Sequence, residues 1–232
     1  MFYCPDIQNS KSLPEDESRH AIRVLRLQSG DDIDIVDGVG GLYKAVITNP
    51  HPKHCEFEIK KTIQGFDKKD YYLHIAIAPT KNIDRFEWFV EKCTEIGIDE
   101  ITPIICRFSE RKIVKLERIK KIIVSAAKQS LKAYFPKLNP LCSFDEFIDN
   151  YSSPMQFIAH CYESEKTLLQ HAYKKSSDSI IMIGPEGDFS MEEVEKAIDS
   201  NFKPVSLGNS RLRTETAGIV VCHTISLINE GV

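Results

Sequence analysis

Residues 179–190 read Ser179-Ile180-Ile181-Met182-Ile183-Gly184-Pro185-Glu186-Gly187-Asp188-Phe189-Ser190, and this passage defines the architecture of the chain. Its first five residues form an apolar run with the length and composition of a buried β-strand. The Gly-Pro-Glu-Gly sequence then predicts a turn. Ser190 and Glu193 have the spacing of a capping box, which predicts that a helix begins directly after the turn. The passage is therefore a strand–loop–helix unit of the kind that builds parallel α/β sheets.

A second unit of the same kind follows in the chain. Residues 204–207 form a short strand, residues 208–214 form a glycine-bearing loop, and residues 214–228 have helical periodicity. Open α/β sheets bind small ligands where strands end and helices begin, and glycine lets the backbone approach such a ligand closely. The glycine patterns of dinucleotide enzymes and P-loop NTPases do not occur in either loop. A lone Gly-Pro-Glu-Gly is also an ordinary turn, and this alternative stays open for the first loop.

The rest of the C-terminal part alternates between strands and amphipathic helices. Strands are predicted at 73–78, 101–105 and 156–160, and helices at 84–97, 116–134 and 166–174. Asp84 and Glu87 are expected to cap the first of these helices, and Gly97 is expected to end it. Residues 69–232 are therefore predicted to form a parallel α/β domain.

The N-terminal part has a different pattern. Residues 32–36 alternate between polar and apolar side chains, glycines follow, and residues 42–48 resume the alternation. Residues 64–70 are polar and show no periodicity, as is typical of a linker. We therefore predict a small β domain at residues 1–68.

Composition limits the classes of function. The chain has 232 residues, of which 42% are hydrophobic and 28% are charged, as in ordinary globular proteins. The N-terminus lacks the pattern of a secretory signal, and no apolar run has the length of a membrane span, so a cytoplasmic location is expected. The seven cysteines are scattered without a Cys-x-x-Cys pair, so neither disulfides nor a metal site is expected. A formal charge of −4 makes any nucleic-acid surface a local feature.

The basic residues cluster in one region of the sequence. Residues 107–137 contain ten basic side chains and two acidic ones. Within the helix predicted there, Arg118, Lys121, Lys128 and Lys132 follow steps of three and four residues and are expected to form one basic stripe. Such a helix is usually only a solvated surface, which remains the alternative. Arg19, Arg23 and Arg26 have the spacing to share a face if their segment is helical.

The second loop carries the most specific motif. It reads Leu207-Gly208-Asn209-Ser210-Arg211-Leu212-Arg213-Thr214-Glu215-Thr216-Ala217. Together with Ile183-Gly184-Pro185-Glu186-Gly187, it resembles the bacterial 16S ribosomal RNA uracil-N3 methyltransferases of the knotted SPOUT superfamily. The resemblance extends over nearly the whole chain through residues 20–26, 30–31, 37–38, 81–85, 87–88, 91–92, 94–97 and 109–111. Asp188 departs from the family pattern, which commonly has a further glycine there.

The resemblance implies a specific architecture and cofactor. It implies an α/β fold in which a SPOUT-type domain at residues 69–232 forms a trefoil knot around S-adenosylmethionine. It also implies a PUA-like β-barrel at residues 1–68 for RNA binding, and a homodimer. The residues expected to bind the cofactor are Gly184, Pro185, Glu186, Gly187, Leu207, Gly208, Leu212, Arg213 and Thr214.

The implied substrate is N3 of one uridine in 16S ribosomal RNA, either free or in the assembled small ribosomal subunit. The residues expected to bind this RNA are Arg23, Arg26, Arg118, Lys121, Lys128 and Lys132. Two alternatives stay open: a SPOUT relative that methylates a ribose 2′-oxygen or a different base, and a ribosome-assembly factor that has lost catalysis.

Methylation at uracil N3 makes a chemical demand on the site. N3 carries a proton at neutral pH, so the proton must leave and the charge that develops on the flanking oxygens must be stabilised. Arg213 is the expected catalytic residue, because a guanidinium stays charged and can contact a uracil oxygen. It can instead hold its loop by pairing with Glu215 or Glu186. Glu215 is a candidate general base, although it can equally cap its own helix.

Overall fold

The computed structural model describes residues 1–230. The strands are β1 (Phe2–Tyr3), β2 (Asp32–Val36), β3 (Leu42–Asn49), β4 (Glu56–Ile63), β5 (Leu73–Ile77), β6 (Glu100–Ile105), β7 (Lys137–Leu138), β8 (Cys142–Ser143), β9 (Met155–Ala159), β10 (Thr167–Leu168), β11 (Ser179–Ile183) and β12 (Lys203–Ser206). The helices are α1 (Glu15–Arg19), α2 (Ile83–Ile96), α3 (Leu116–Gln129), α4 (Phe144–Asn150), α5 (Leu169–Ala172), α6 (Met191–Asp199) and α7 (Thr214–Glu230), with a π-helical turn (His20–Val24) after α1.

The chain divides into two compact units. The first comprises Met1–Lys68 together with Val124–Phe135, and the second comprises Lys69–Ile123 and the chain from Pro136 onward. The division separates residues 68 and 69. It also assigns Val124–Phe135 to the first unit, although this segment lies far from residue 68 in the sequence.

The first unit is built on a β-sheet with the strand order β1-β2-β3-β4. The sheet is antiparallel except for β1, which pairs with β2 in parallel. Asp37 shapes the turn between β2 and β3, because its carboxylate accepts hydrogen bonds from Val39 N and Gly41 N at 2.8 and 2.9 Å. Within the described residues, the pairing runs from β1 to β4 as an open sheet, where the resemblance implied a barrel.

The second unit contains a parallel sheet with the strand order β10-β12-β9-β11-β5-β6-β7, and β8 also pairs with β6. Every recorded pairing in it is parallel, as predicted. β11 lies between β5 and β9 and is fully buried, which explains its uninterrupted apolar sequence. Parallel strands present their carboxyl ends at one edge, so the loops after β9, β11 and β12 are neighbours.

Helix α7 packs closely on α2. A Cβ atom at Gly218 would lie 2.5 Å from the Phe89 ring, so only glycine permits this approach. Two local predictions are confirmed: Ser190 and Glu193 form the capping box of α6, and Gly97 ends α2 in the left-handed conformation with φ 117°.

Three predicted helix boundaries are wrong. Asn82, rather than Asp84, caps α2, since its side chain accepts a hydrogen bond from Asp84 N. The helix predicted at 166–174 is reduced to α5, because β10 precedes it. α3 ends at Gln129 instead of continuing to residue 134, because Leu131 adopts a left-handed φ of 59° and Lys132 N donates to Ala127 O.

Candidate active site

The carboxyl ends of three neighbouring strands surround the main cavity of the second unit. The loops that follow β9, β11 and β12 line one cavity of about 540 Å³ and an adjoining one of about 300 Å³. The two share wall residues from all three loops: Ala159, Cys161, Asp188, Arg211, Leu212 and also Ala217 of α7. This is the position at which open α/β sheets bind ligands.

The structure brings together all nine residues expected to bind the cofactor. The larger cavity is lined by Gly187, Leu207, Gly208 and Leu212, and the smaller one by Gly184, Pro185, Glu186, Leu212, Arg213 and Thr214. Thr214 links the two loops, because its Oγ1 donates to the carbonyl oxygen of Gly184 at 3.1 Å. The binding role of these residues stays a prediction, and their common location gives it a geometric basis.

Two positions in these loops have left-handed backbone. Gly208 has φ 122°, and a Cβ atom placed there would meet no protein atom within 4 Å, so its backbone faces open space. Asp188 has φ 68°. Its carboxylate accepts from Phe189 N at 2.8 Å and from Cys161 N at 2.7 Å, which compensates for the backbone strain and ties the first loop to the loop after β9. The left-handed backbone explains why glycine suits this position in the family.

The loop after β9 contributes site residues that the sequence prediction missed: His160, Cys161, Tyr162 and Lys166. Lys166 Nζ shapes the loop by donating to the carbonyl oxygens of His160 and Tyr162 at 2.9 and 2.6 Å. Neither ring nitrogen of His160 has a hydrogen-bond partner among the described residues, although the side chain is buried. Burial lowers the pKa of His160, and the charge of Lys166 lowers it further. The loop lacks glycine, and only its place after a predicted parallel strand signalled its role.

Arg213 lines the smaller cavity with an exposed side chain. In residues 1–230 its guanidinium forms no ion pair, so the expected alternative pairing with Glu215 or Glu186 does not occur. Glu215 is buried and lies 3.8 Å from Arg85 Nε, while its Oε2 has no hydrogen-bond partner among the described residues. Glu186 accepts a hydrogen bond from Lys81 N at 2.9 Å. The cation of Arg213 therefore remains available to the cavity.

The predicted basic stripe on α3 is not a continuous row. Arg118 pairs with Glu87 at 2.5 Å, and Lys128 pairs with Glu17 at 2.5 Å. Lys132 lies beyond the end of the helix, 3.8 Å from Asp67. Lys121 is exposed. The predicted stripe is wrong for Lys132, because the helix ends before this residue, and acidic partners engage Arg118 and Lys128.

The predicted arginine face near the N-terminus is also not formed. Arg23 lies in the π-helical turn, whereas Arg26 lies beyond it with a left-handed φ of 57°. Both side chains are exposed, but they do not share a helical face. Arg19 is engaged by Glu15 at 2.8 Å.

Residues 1–230 hold no group of three or more His, Cys, Asp or Glu side chains placed to bind a metal ion. In the same residues, no helix combines the length and apolarity needed to cross a bilayer.

Comparison with known proteins gives consistent matches. A family profile described as an RNA methyltransferase domain matches residues 67–226, and one described as an RNA methyltransferase PUA domain matches residues 13–60. Ribosomal RNA small subunit methyltransferase E of Synechocystis is 29% identical over 97% of this chain and 75% of its own length. The protein of that name from Mesomycoplasma hyopneumoniae is 31% identical over 72% of this chain and 75% of its own length.

Solved structures are similar over the full length. The crystal structure of a probable rRNA-methyltransferase from Porphyromonas gingivalis has a TM-score of 0.94 and 42% identity, covering 99% of this chain and 98% of that one. A ribosomal RNA small subunit methyltransferase E from Neisseria gonorrhoeae, bound to S-adenosyl methionine, has a TM-score of 0.84 and 27% identity, covering 98% and 97%.

Proposed function

The chain belongs to the RNA methyltransferase domain family, and from that premise we propose that it methylates N3 of a uridine in 16S ribosomal RNA with S-adenosylmethionine. Methylation of small-subunit ribosomal RNA is the activity in the names of its relatives, and the cofactor is bound in the structure from Neisseria gonorrhoeae. The choice of uridine N3 rests on the resemblance of the two cofactor loops.

The observation that carries the proposal is the cavity at the ends of β9, β11 and β12. Its volume of about 540 Å³, with about 300 Å³ adjoining, lies in the range of small-molecule sites. The backbone at Gly208 faces open space, and the ring nitrogens of His160 have no hydrogen-bond partner among the described residues. Both supply polar groups that a nucleoside cofactor can use. The residues present therefore fit S-adenosylmethionine, which supplies an electrophilic methyl group when bound.

Arg213 is the residue that fits the chemistry of the uracil. Loss of the N3 proton leaves negative charge on the flanking carbonyl oxygens, and a cation beside them lowers the barrier. Arg213 lies in the cavity wall and carries no ion pair among the described residues, so its charge is not neutralised by the protein. A guanidinium can donate two parallel hydrogen bonds, which makes it suited to a planar anion.

The proposal includes the finer architecture of the family. The chain end of the second unit would form a trefoil knot around the cofactor, and the first unit, which matches a PUA domain, would bind RNA. We further propose that the protein is a cytoplasmic homodimer that binds neither a metal ion nor a membrane. The homodimer rests on the resemblance to the SPOUT family.

Nucleoside mass spectrometry tests the proposed function. We expect 16S ribosomal RNA from cells that lack the gene to have lost one 3-methyluridine, and the purified protein to restore it with S-adenosylmethionine. Free 16S RNA and assembled small subunits are compared as substrates. Loss of a 2′-O-methyl nucleoside or of another base modification would contradict the assignment to N3. Tight cofactor binding without any methylated product would instead indicate an assembly factor.

A further inference from the structure

The loop that follows β6 exposes an unusual combination of side chains. It spans residues 106–115 and leads into α3. Phe108 is 48% exposed and Ile113 is 74% exposed, although both are large and apolar. The basic side chains of the loop that are exposed are Arg107, Lys112 and Lys115. Two exposed apolar side chains among cations in one short loop make it a candidate interaction surface.

The base of the loop is held by specific hydrogen bonds. Arg111 Nη2 donates to Lys81 O at 2.7 Å and its Nε donates to Thr80 O at 3.0 Å. Ser109 Oγ accepts from Cys106 N at 3.0 Å, and Arg107 N donates to Glu193 Oε1 at 2.8 Å. These contacts hold the backbone of residues 106–111, the part of the loop that carries Phe108. A preorganised surface loses less entropy when it binds a ligand.

The loop borders the cavity. A Cβ atom at Gly187 would lie 3.0 Å from Phe108 Cβ, so the two residues are in contact. Gly187 is part of the wall of the larger cavity. The carbonyl oxygen of Lys81 accepts a hydrogen bond from Arg111, and the Lys81 N–H donates to Glu186 in the wall of the smaller, adjoining cavity. Phe108 therefore lies beside the wall of the cavity that we propose holds the cofactor.

The charge of the loop is not neutralised by the protein. In the part of the chain that the structure describes, the side chains of Arg107, Lys112 and Lys115 form no ion pair, and Glu110 is engaged by Lys81 at 2.8 Å. By contrast, Arg118 and Lys128 of α3 are held by acidic partners. Three cations in the same loop as an exposed aromatic ring are complementary to a polyanion with flat bases.

We propose that loop 106–115 binds single-stranded RNA beside the target nucleotide, with Phe108 stacking on a base and Arg107, Lys112 and Lys115 contacting phosphates. The inference rests on the proposed function, since it assigns a substrate contact to that reaction. Proteins recognise unpaired RNA by stacking bases on aromatic rings, while cations track the backbone. The loop, rather than the face of α3, is then the basic surface that meets the substrate.

The stacking contact is tested with oligouridylate as the RNA probe. Phe108→Ala is expected to weaken binding about tenfold, the loss of one stacked base. Phe108→Trp should retain affinity, whereas Phe108→Leu should not, because an aliphatic side chain cannot stack. Ile198→Ala is the control, since Ile198 of α6 is a large apolar side chain that is 46% exposed in the second unit and lines neither cavity. S-adenosylmethionine affinity, measured by calorimetry, should stay unchanged in all four variants and verifies that they fold.

The phosphate contacts are tested by salt dependence. Lys112→Ala combined with Lys115→Ala is expected to flatten the slope of log affinity against log salt by about 1.4, the value for two phosphate contacts on a single strand. Lys174→Ala combined with Lys175→Ala removes the same charge from an exposed site outside the loop and should leave the slope unchanged.

Two results would overturn the inference. One is wild-type RNA affinity and salt slope in the loop variants. The other is a change of oligomeric state in Phe108→Ala with unchanged RNA affinity, which would make the loop a contact between two copies of the chain. Failure of the proposed function is a separate result, because it would show as absent methyl transfer by the wild-type protein, whatever the loop variants bind.

Discussion

Gly208 combines a left-handed backbone with a position in the wall of the larger cavity. Its φ of 122° is rarely adopted by residues with a side chain, and the space around its missing Cβ is open. Gly30 of the first unit has the same two properties, with φ 97° and no protein atom within 4 Å of the point where a Cβ atom would lie. Substitutions at the two glycines can therefore be compared to distinguish the cost of backbone strain from the loss of a binding surface.

We predict that Gly208→Val lowers S-adenosylmethionine affinity at least tenfold, because the new side chain enters space the cofactor needs and the backbone must shift. Both substitutions should lower the free energy of unfolding by about 1–2 kcal/mol through backbone strain, but Gly30→Val should leave cofactor affinity unchanged. Calorimetry and denaturant titration measure both quantities. Equal cofactor affinity in Gly208→Val and the wild type would remove this loop from the site.

Arg213 is predicted to act in the transition state. Arg213→Ala should lower the single-turnover rate of methyl transfer by about two orders of magnitude, the size of losing one oxyanion donor. Arg213→Lys should recover only part of the rate, since an ammonium lacks the planar fork. Arg211→Ala is the control, because Arg211 is also exposed and lines the same cavity. Normal transfer by Arg213→Ala at saturating RNA and cofactor would make Arg213 a binding residue only.

At the scale of the element, α3 shows how acidic neighbours change the role of a basic helix. Lys128 and Glu17 are largely buried, with 22% and 11% of their side chains exposed, and the oxygen Glu17 Oε2 has no hydrogen-bond partner among the described residues. The ion pair joins two segments of the first unit. The ion pair gives Lys128 a contact within the first unit, and we predict that it acts in stability and makes no phosphate contact.

We predict that Lys128→Met destabilises the protein by about 2 kcal/mol, because it leaves a buried carboxylate without its counter-charge. The double variant Lys128→Met with Glu17→Gln should regain most of that loss, since no buried charge is left unpaired. Denaturant titration of both single variants and the double variant gives the coupling. Additive losses would show that the two side chains do not interact. The RNA salt slope of Lys128→Met should equal that of the wild type.

At the scale of the whole molecule, the parallel sheet buries a histidine near the amino-terminal ends of its strands, opposite the end that borders the cavity. His74 Nε2 lies 2.6 Å from Thr102 Oγ1, and burial lowers the pKa of His74 from 6.5 to about 4, although Glu100 opposes the shift. Between these two values the unfolded chain binds a proton that the folded chain does not. The contribution of His74 to the free energy of unfolding is therefore fully present above pH 6.5 and is lost as the pH falls toward 4.

We expect the wild type to lose about 2 kcal/mol of unfolding free energy between pH 7 and pH 5 through His74. His74→Gln keeps a polar side chain near Thr102 but does not titrate, so its stability should depend less on pH over this interval. Denaturant titrations at the two pH values compare the variants. A wild-type loss equal to that of His74→Gln would exclude His74 as the cause.

What the amino-acid sequence determined by itself is the set of local elements in the second unit. The strand at 179–183, the capping box of Ser190 and Glu193, and the end of α2 at Gly97 follow from patterns within a few residues. Their physical basis is short-range: periodic burial, side-chain capping of free N–H groups, and the left-handed conformation of glycine. The positions of the two glycine-bearing loops, which we propose bind the cofactor, follow for the same reason.

Only the tertiary structure decided which side chains meet. Lys128 finds Glu17 across 111 residues of sequence, and His160 enters the cavity because β9 lies between β11 and β12. The end of α3 at Leu131 was also missed, because a left-handed leucine lacks the local signature that glycine provides. Charge pairing and strand order depend on contacts between distant segments. A one-dimensional pattern does not contain the distances on which those contacts depend.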